Sequence, residues 1–430
     1  MSKVIAFIEQ TVCGAFLPAA LFLTGAVLFI RLARYVFSPR FFFGSLKSKR
    51  GKEALGSLWL ALGGTLGVGN ICGVASAVYI GGAGCVFWIW VCALLSAVTK
   101  YAETALAIHF RNQNGHGGAH SYISNGLGAK KLASVFCVLC VITAFTMGNV
   151  TQVKSASDFA LSALGIPKVT CASLFLITVF LITLGKGRAV KAFTSKAVPL
   201  LCLIYVICSF AVIFIYRENV IPLTRQILSD AFEPKAGVSG IMGYLCSPAV
   251  RLGITRGVMS NEAGCGTAPI AYASDTTTEP VTSGLLGVIE VLVDTLLLCT
   301  LTAYAILLPN CSLYEDSAKT VINAFSSSLG AYIAPVITIS VFLFALAAVC
   351  AWSFYAEQSA LFLGGGNRFH YCFTLLYSLT AFFGCFVSEH LSWFLSDLTV
   401  SLMAVINMIA VLLLSSTIKN ITKSSQKNHL

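Results

Sequence analysis

At 430 residues, 57% hydrophobic and only 10% charged, the chain lacks the polar surface that a water-soluble protein of this size needs. Its formal net charge of +11 comes without any RNA- or DNA-binding motif, so the Lys and Arg excess is a topology signal rather than a nucleic-acid footprint. The apolar runs are long and continuous, without the period-two alternation of a β-barrel, which leaves α-helices as the spanning element.

In chain order, apolar runs lie near 14–34, 57–80, 84–108, 132–162, 170–184, 197–216, 237–257, 284–308, 332–362, 370–387 and 392–416. Each reaches or approaches the roughly 20 residues that cross a bilayer as a helix. The expected fold is an all-α membrane protein of about eleven transmembrane helices in one domain, 1–430. The first run lacks an A-x-A-like cleavage site and is followed at once by Arg31 and Arg34, the flank of a retained helix rather than a signal peptide. With the N-terminus outside, nineteen of the 28 Lys and Arg fall in cytoplasmic segments and six outside. The positive-inside rule then puts the C-terminal tail, 417–430, in the cytoplasm. Most of the 16 cysteines sit inside apolar runs without paired spacing, which reads as small apolar packing rather than disulfides or metal ligands. His116 and His120 fall in a Gly-rich cytoplasmic loop with no matching Cys or carboxylate, so no metal site is expected there.

The second run holds the first strong signal. Gly63-Gly64-Thr65-Leu66-Gly67-Val68-Gly69-Asn70 crowds four glycines ahead of a polar Asn near mid-membrane. Each glycine costs a helix about 1 kcal/mol relative to alanine, so the helix is expected to unwind here. Unwound backbone at that depth must face protein or a wet cavity. Cys72 stands where a dinucleotide fingerprint needs its last glycine, and no Gly-Lys-Ser/Thr completes a P-loop. Close packing through Gly63-x-x-x-Gly67 and Gly69-x-x-x-Gly73 is compatible with a break.

A second irregular segment, Gly253 to Pro269, ends the seventh run and mixes four glycines with Arg256, Ser260, Asn261 and Glu262. Each irregular segment opens a block of five helices, 57–216 and 237–416. Gly-interrupted segments at matching places in two halves point to a transporter site between repeats.

Ionisable residues inside spans are costly and functional by default. Lys100 with Glu103, and Lys154 with Asp158, are one helical turn apart and are expected to neutralise one another. Glu290 and Asp294 share a face and a sign, so one is expected to hold a proton or to pair with Arg251 or Arg256. They are the candidates for proton coupling.

Seven stretches in order make the chain recognisable: Gly67-Val-Gly69-Asn70-Ile-Cys-Gly73, Gly81 to Trp90, Lys100-Tyr-Ala-Glu103, Gly148-Asn149-Val-Thr-Gln152, Arg256 to Pro269, Asp294-Thr295, and Trp352-Ser-Phe-Tyr-Ala-Glu357. From about residue 10 to 415 they resemble the alanine or glycine:cation symporter family. The resemblance implies a leucine-transporter-like 5+5 inverted repeat preceded by one extra helix, 14–34. It implies import of alanine, glycine or D-alanine with sodium or protons by alternating access, across what is expected to be a bacterial inner membrane. A symporter for another amino acid on the same fold is the alternative.

By motif match, substrate contact is expected at Gly67, Gly69, Asn70, Gln152, Met259, Ser260, Asn261 and Trp352. Opened amides around Gly67 to Asn70 suit a carboxylate, and the Gln152 amide offers both donor and acceptor. Trp352 is placed to close over a small side chain. The family usually carries Phe-Ser-Thr before this tryptophan, and the fold uses such hydroxyls to hold sodium. Here the run is Phe344-Ala345-Leu346-Ala347-Ala348-Val349-Cys350-Ala351-Trp352. That sodium site is therefore weakened unless Thr65 or Ser353 substitutes, and altered coupling is expected: protons, weaker sodium dependence or a displaced site. No cofactor, no metal beyond a coupling sodium and no obligate protein partner is expected; the partners are the amino acid and the bilayer. An enzyme would need a nucleophile with its base or clustered metal ligands, and none presents itself. A channel would share the polar mid-membrane backbone, and saturable uptake separates the two.

Overall fold

A computed structural model describes residues 17–38, 55–112, 117–232, 248–275 and 278–429. Among these residues the chain is helical throughout, with no strand. The principal helices are α1 (Leu17–Val36), α2 (Leu55–Thr65), α3 (Cys72–Gly81), α4 (Cys85–His109), α5 (Lys130–Leu164), α6 (Lys168–Leu184), α7 (Lys186–Ile215) and α8 (Val220–Asp230) in the first half. The second half holds α9 (Pro248–Asn261), α10 (Ala268–Ala273), α11 (Pro280–Leu307), α12 (Ser317–Leu329), α13 (Ile333–Phe362), α14 (Asn367–Gly384), α15 (Glu389–Leu413) and α16 (Ser415–His429).

Seven of these, α1, α4, α5, α7, α11, α13 and α15, are long and apolar enough to cross a membrane. The pair α2 and α3 makes an eighth crossing if taken as one span, bent by 61°. The surface of α7 shows which solvent this fold expects. Leu200, Leu203, Ile207, Phe210 and Phe214 are all more than half exposed, a continuous apolar stripe that only hydrocarbon can cover without cost. The protein is a multi-pass membrane protein.

Several boundaries differ from the sequence reading. The sixth run, expected from 197, begins at Lys186, because Lys186, Arg188, Lys191 and Lys196 wind on as helix beyond the apolar stretch and reach past it with their charged ends. The expected tail 417–430 is helical to His429: Ile418 and Thr422 are fully buried, and Tyr101 shares a 2.9 Å hydrogen bond with Thr422 Oγ1. His120 is buried in a short helical turn and packs its ring, tilted, against Phe362 at 4.9 Å, so its place is a packed one rather than a loop. His116, and positions 14–16 and 237–247 of the first and seventh runs, lie outside the described residues. Fourteen cysteines are described and all are free thiols, most of them buried.

Two helices form the frame. α4 is packed by α1, α9 and α11, and α13 by α2, α5 and α7. On α13 every residue from Ala345 to Trp352 is buried, so its central turns are a wall of small side chains against which the broken helices lie.

Candidate functional site

The glycine cluster does what its composition demands. α2 stops at Thr65, a single 3₁₀ turn covers Val68–Asn70, and α3 resumes at Cys72. The glycines are also packing positions. A methyl at Gly63 would lie 2.7 Å from Thr194, and one at Gly64 only 2.5 Å from the Tyr355 hydroxyl, so close approach and unwinding coexist. The amide freed at Val68 donates to Gln152 Oε1 at 3.0 Å, and Gln152 Nε2 donates to the Met147 carbonyl at 3.3 Å. That carbonyl belongs to a widened π turn of α5, Thr146–Val150, the kind of local defect that concentrates at functional positions.

The second break follows α9. Glu262 adopts φ +53°, and Gly264 and Gly266 adopt +87° and +77°, a left-handed path that only glycine takes freely. Asn261 Oδ1 accepts the Ala263 amide at 2.9 Å, and Pro269 sits in the first turn of α10, where its missing N–H costs nothing. The two breaks touch: a methyl on Gly69 would lie 3.6 Å from the Met259 carbonyl.

One carboxylate ties them together. Asn70 Nδ2 donates to Asp294 Oδ1 at 2.5 Å and to the Asp294 carbonyl at 3.1 Å. Ser260 Oγ donates to Asp294 Oδ2 at 2.5 Å, and Thr295 Oγ1 donates to the same oxygen at 2.8 Å. Asp294 lies where α11 widens into π turns over Leu292–Cys299, which frees its carbonyl for Asn70. All four side chains are buried. Asn70 Oδ1 has no hydrogen-bond partner, and among the described residues no Lys or Arg pairs with Asp294. Carboxylate, amide and hydroxyl oxygens gathered without a cation form the donor set that a hard ion such as sodium, or a proton, requires.

The other buried charges are arranged differently from expectation. Lys100 does not neutralise Glu103; its Nζ lies 3.2 Å from Glu290 Oε1, both side chains fully buried, and Tyr272 donates to Glu290 Oε2 at 2.9 Å. Glu103 instead accepts from Asn407 Nδ2 at 2.6 Å. Glu290 and Asp294 thus part company, because the packing of α4 against α11 puts a lysine beside the first and only neutral donors beside the second. Arg256 pairs with Asp397 at 3.2 Å and stacks on Trp393 at 4.3 Å, so it is not the partner of either. Lys154 does pair with Asp158, which Lys168 also reaches at 2.9 Å.

Of the other candidates, Thr65 Oγ1 donates to the Ala61 carbonyl at 3.3 Å, and Ser353 Oγ to that of Cys350 at 2.6 Å, each within its own helix. Trp352 lies across Gly148, where a methyl would come within 2.4 Å of the ring, and its Nε1 donates to Glu262 Oε1 at 2.8 Å. Glu262 Oε2 accepts from Thr267 at 2.6 Å. Neither Glu262 nor Thr295 was singled out from the sequence as a site residue; the available signal for Glu262 was an acid inside a Gly-flanked break. Gly69, Gln152 and Met259 line a cavity of about 10 Å³, and Gly67 and Asn70 line a second of the same size with Tyr205 and Phe344. Each has room for about one water, so nothing larger enters unless these walls part.

A model of the sodium:alanine symporter family matches residues 1–429. The chain belongs to the sodium:alanine symporter family. Its relatives include an uncharacterised transporter of Haemophilus influenzae, 34% identical over 98% of this chain and 96% of its own length. The sodium/alanine symporter AgcS of Methanococcus maripaludis is 31% identical over 86% of this chain and 83% of its own. A probable sodium/glutamine symporter, GlnT of Bacillus subtilis, is 30% identical over 86% and 78%. The family and these relatives are transporters rather than enzymes.

For this symporter-family chain the first break yields a direct test. A methyl at Gly67 would sit 2.5 Å from Gln152 Oε1, so Gly67→Ala is expected to push the amide off Val68 and leave a buried N–H unsatisfied. That costs about 1–3 kcal/mol and is expected to lower amino-acid uptake by about fivefold to a hundredfold with normal membrane insertion. Wild-type uptake by this variant would mean that Gln152 does not support the break.

Proposed function

We propose that the chain is a secondary active symporter that imports a small neutral amino acid, alanine, glycine or D-alanine, with a cation. Its working unit is a 5+5 inverted repeat of eleven spans in all: the run 14–34, which contains most of α1, is the extra helix, the block 57–216 with α2 to α7 the first repeat, and the block 237–416 with α9 to α15 the second. The N-terminus faces outward and the C-terminus the cytoplasm. The observation that carries this reading is the meeting of the unwound segment 67–70 and the last turn of α9, where the second break begins, on Asp294, with Gln152 holding the first break.

A zwitterion leaving water must find donors for its carboxylate and acceptors for its ammonium, since an unpaired buried charge costs several kcal/mol. Freed amides at the first break serve the carboxylate, Gln152 serves either group, and the carbonyls of Met259 and its neighbours serve the ammonium. Trp352, held by Glu262, braces α5 and α13 behind that pocket. We assign the coupling ion to the Asp294 oxygens with Asn70 Oδ1. Ala347 and Ala348 on α13 are fully buried and offer no oxygen from their side chains, so coupling falls on the site that retains a charge. Sodium is the preferred ion, in keeping with the names of two relatives, and a proton the alternative.

Uptake of labelled alanine into proteoliposomes, with sodium replaced by choline at fixed pH, tests the ion. Loss of uptake supports sodium; uptake that persists and follows an imposed pH gradient moves the assignment to protons. Glutamine as a competitor in the same assay tests the rival substrate that the relative GlnT raises. Full inhibition by glutamine, with none by glycine, would overturn the small-substrate assignment.

A further inference from the structure

Away from the two breaks, α7 begins on Gly185 with no side chain capping its first turn. Amide hydrogens at the positive pole of a 30-residue helix are thus left for an outside acceptor. That end of α7 opens into a cavity of about 680 Å³, walled by the beginning of α7, the last turns of α13 and the first turn of α14. Lys186, Arg188 and Lys191 line it together with one carboxylate, Glu357, and Asp275 acts on Lys191 from beside the lining residue Ser274. His370 lines it as well and is only 5% exposed. Neither of its ring nitrogens has a hydrogen-bond partner, although Glu357 Oε1 lies 2.9 Å from Nδ1 as an ion contact. A buried imidazole with an unsatisfied Nε2 beside three cations is a costly arrangement for folding alone, and an anion accepting from Nε2 removes the cost.

We propose that this cavity binds a phosphate-bearing anion. Arg188 and Lys191 supply charge and donors, the uncapped amides of α7 the dipole end, and His370, held by Glu357 through Nδ1, a further donor from Nε2. Leu361 and Phe369, 41% and 36% exposed, line the same cavity and give the carbon skeleton of a glycerophospholipid a surface to lie on. Basic pockets between spanning helices bind anionic lipid headgroups in this manner. The lipid headgroup and free phosphate share this chemistry, and binding is read without flux, so the outcome is independent of the transport assignment.

The experiment uses the purified full chain in neutral detergent, with the unfolding midpoint and native mass spectrometry as readouts. Phosphatidylglycerol, phosphatidylcholine and inorganic phosphate are titrated separately, with chloride added to equal ionic strength. Phosphatidylglycerol is expected to give a saturable upward shift that phosphatidylcholine does not give. Arg188→Gln and Lys191→Gln are each expected to raise the half-saturating concentration about tenfold, while Lys191→Arg keeps the wild-type value. His370→Phe removes the Nε2 donor and is expected to raise the half-saturating concentration as well, with each shift read against the variant's own ligand-free midpoint so that the lost Glu357 contact does not enter the comparison. An equal shift with inorganic phosphate assigns the site to a soluble anion; a shift with the lipid alone assigns it to the membrane. No shift with either probe, or an undiminished shift in Arg188→Gln, overturns the proposal.

Discussion

Asp294→Asn is expected to reduce cation-driven uptake about a hundredfold or more while the protein still inserts and folds. The substitution keeps the shape of the side chain. Asn70, Ser260 and Thr295 all lie within 2.8 Å of the carboxylate oxygens, and hydroxyls can accept as well as donate. The structural loss is therefore about one hydrogen bond, roughly 1 kcal/mol. The charge is a different matter. A cation brought into this dry site without its counter-charge forfeits about 3–5 kcal/mol, which is more than two factors of ten in an equilibrium constant. The defining measurement is a sodium titration of alanine uptake in the variant and the wild type, beside the detergent unfolding midpoint of both. Weak, sodium-insensitive uptake with an unchanged midpoint is the expected result. If the variant titrates with sodium as the wild type does, Asp294 is only the knot between the two breaks and the cation binds elsewhere.

Lys100→Met is expected to be the most damaging single substitution for stability, at about 3–5 kcal/mol. Both partners of the Lys100–Glu290 pair are fully buried, and removing the lysine leaves Glu290 with neutral donors alone, Tyr272 at 2.9 Å foremost. Removing both charges is much milder, because neither is then left uncompensated: Lys100→Met combined with Glu290→Met is expected to recover most of the loss. Unfolding midpoints of the four proteins in one detergent close the cycle. A double variant as unstable as the single one would show that the pair is held for packing by its neighbours rather than for its charges.

These two residues show where sequence reading stops. Lys100 has Glu103 one turn away in the chain, and a local rule pairs them. The real partner is 190 residues distant and becomes available only because α4 packs flat against α11. Glu290 and Asp294 look equivalent, four residues apart on one helix, yet one meets a lysine and the other an asparagine and a serine from opposite broken helices. Asn70 and Ser260 were legible as polar residues in glycine-rich breaks and Gln152 through its motif; their arrangement around Val68 and Asp294 was not.

By itself the sequence determined that the chain lives in a membrane, that it is helical, and where two of its helices give way. Those are local properties, since the length of an apolar run, the sign of its flanks and the helix cost of Gly63, Gly64, Gly67 and Gly69 are all written within a few turns of chain. Only the tertiary structure decided that both breaks close on Asp294, that Trp352 is anchored by Glu262, and that Lys100 belongs to Glu290. Such pairings depend on distances of about 3 Å between atoms far apart in the chain, and in a low-dielectric interior each buried charge takes whichever partner the helix packing brings within reach.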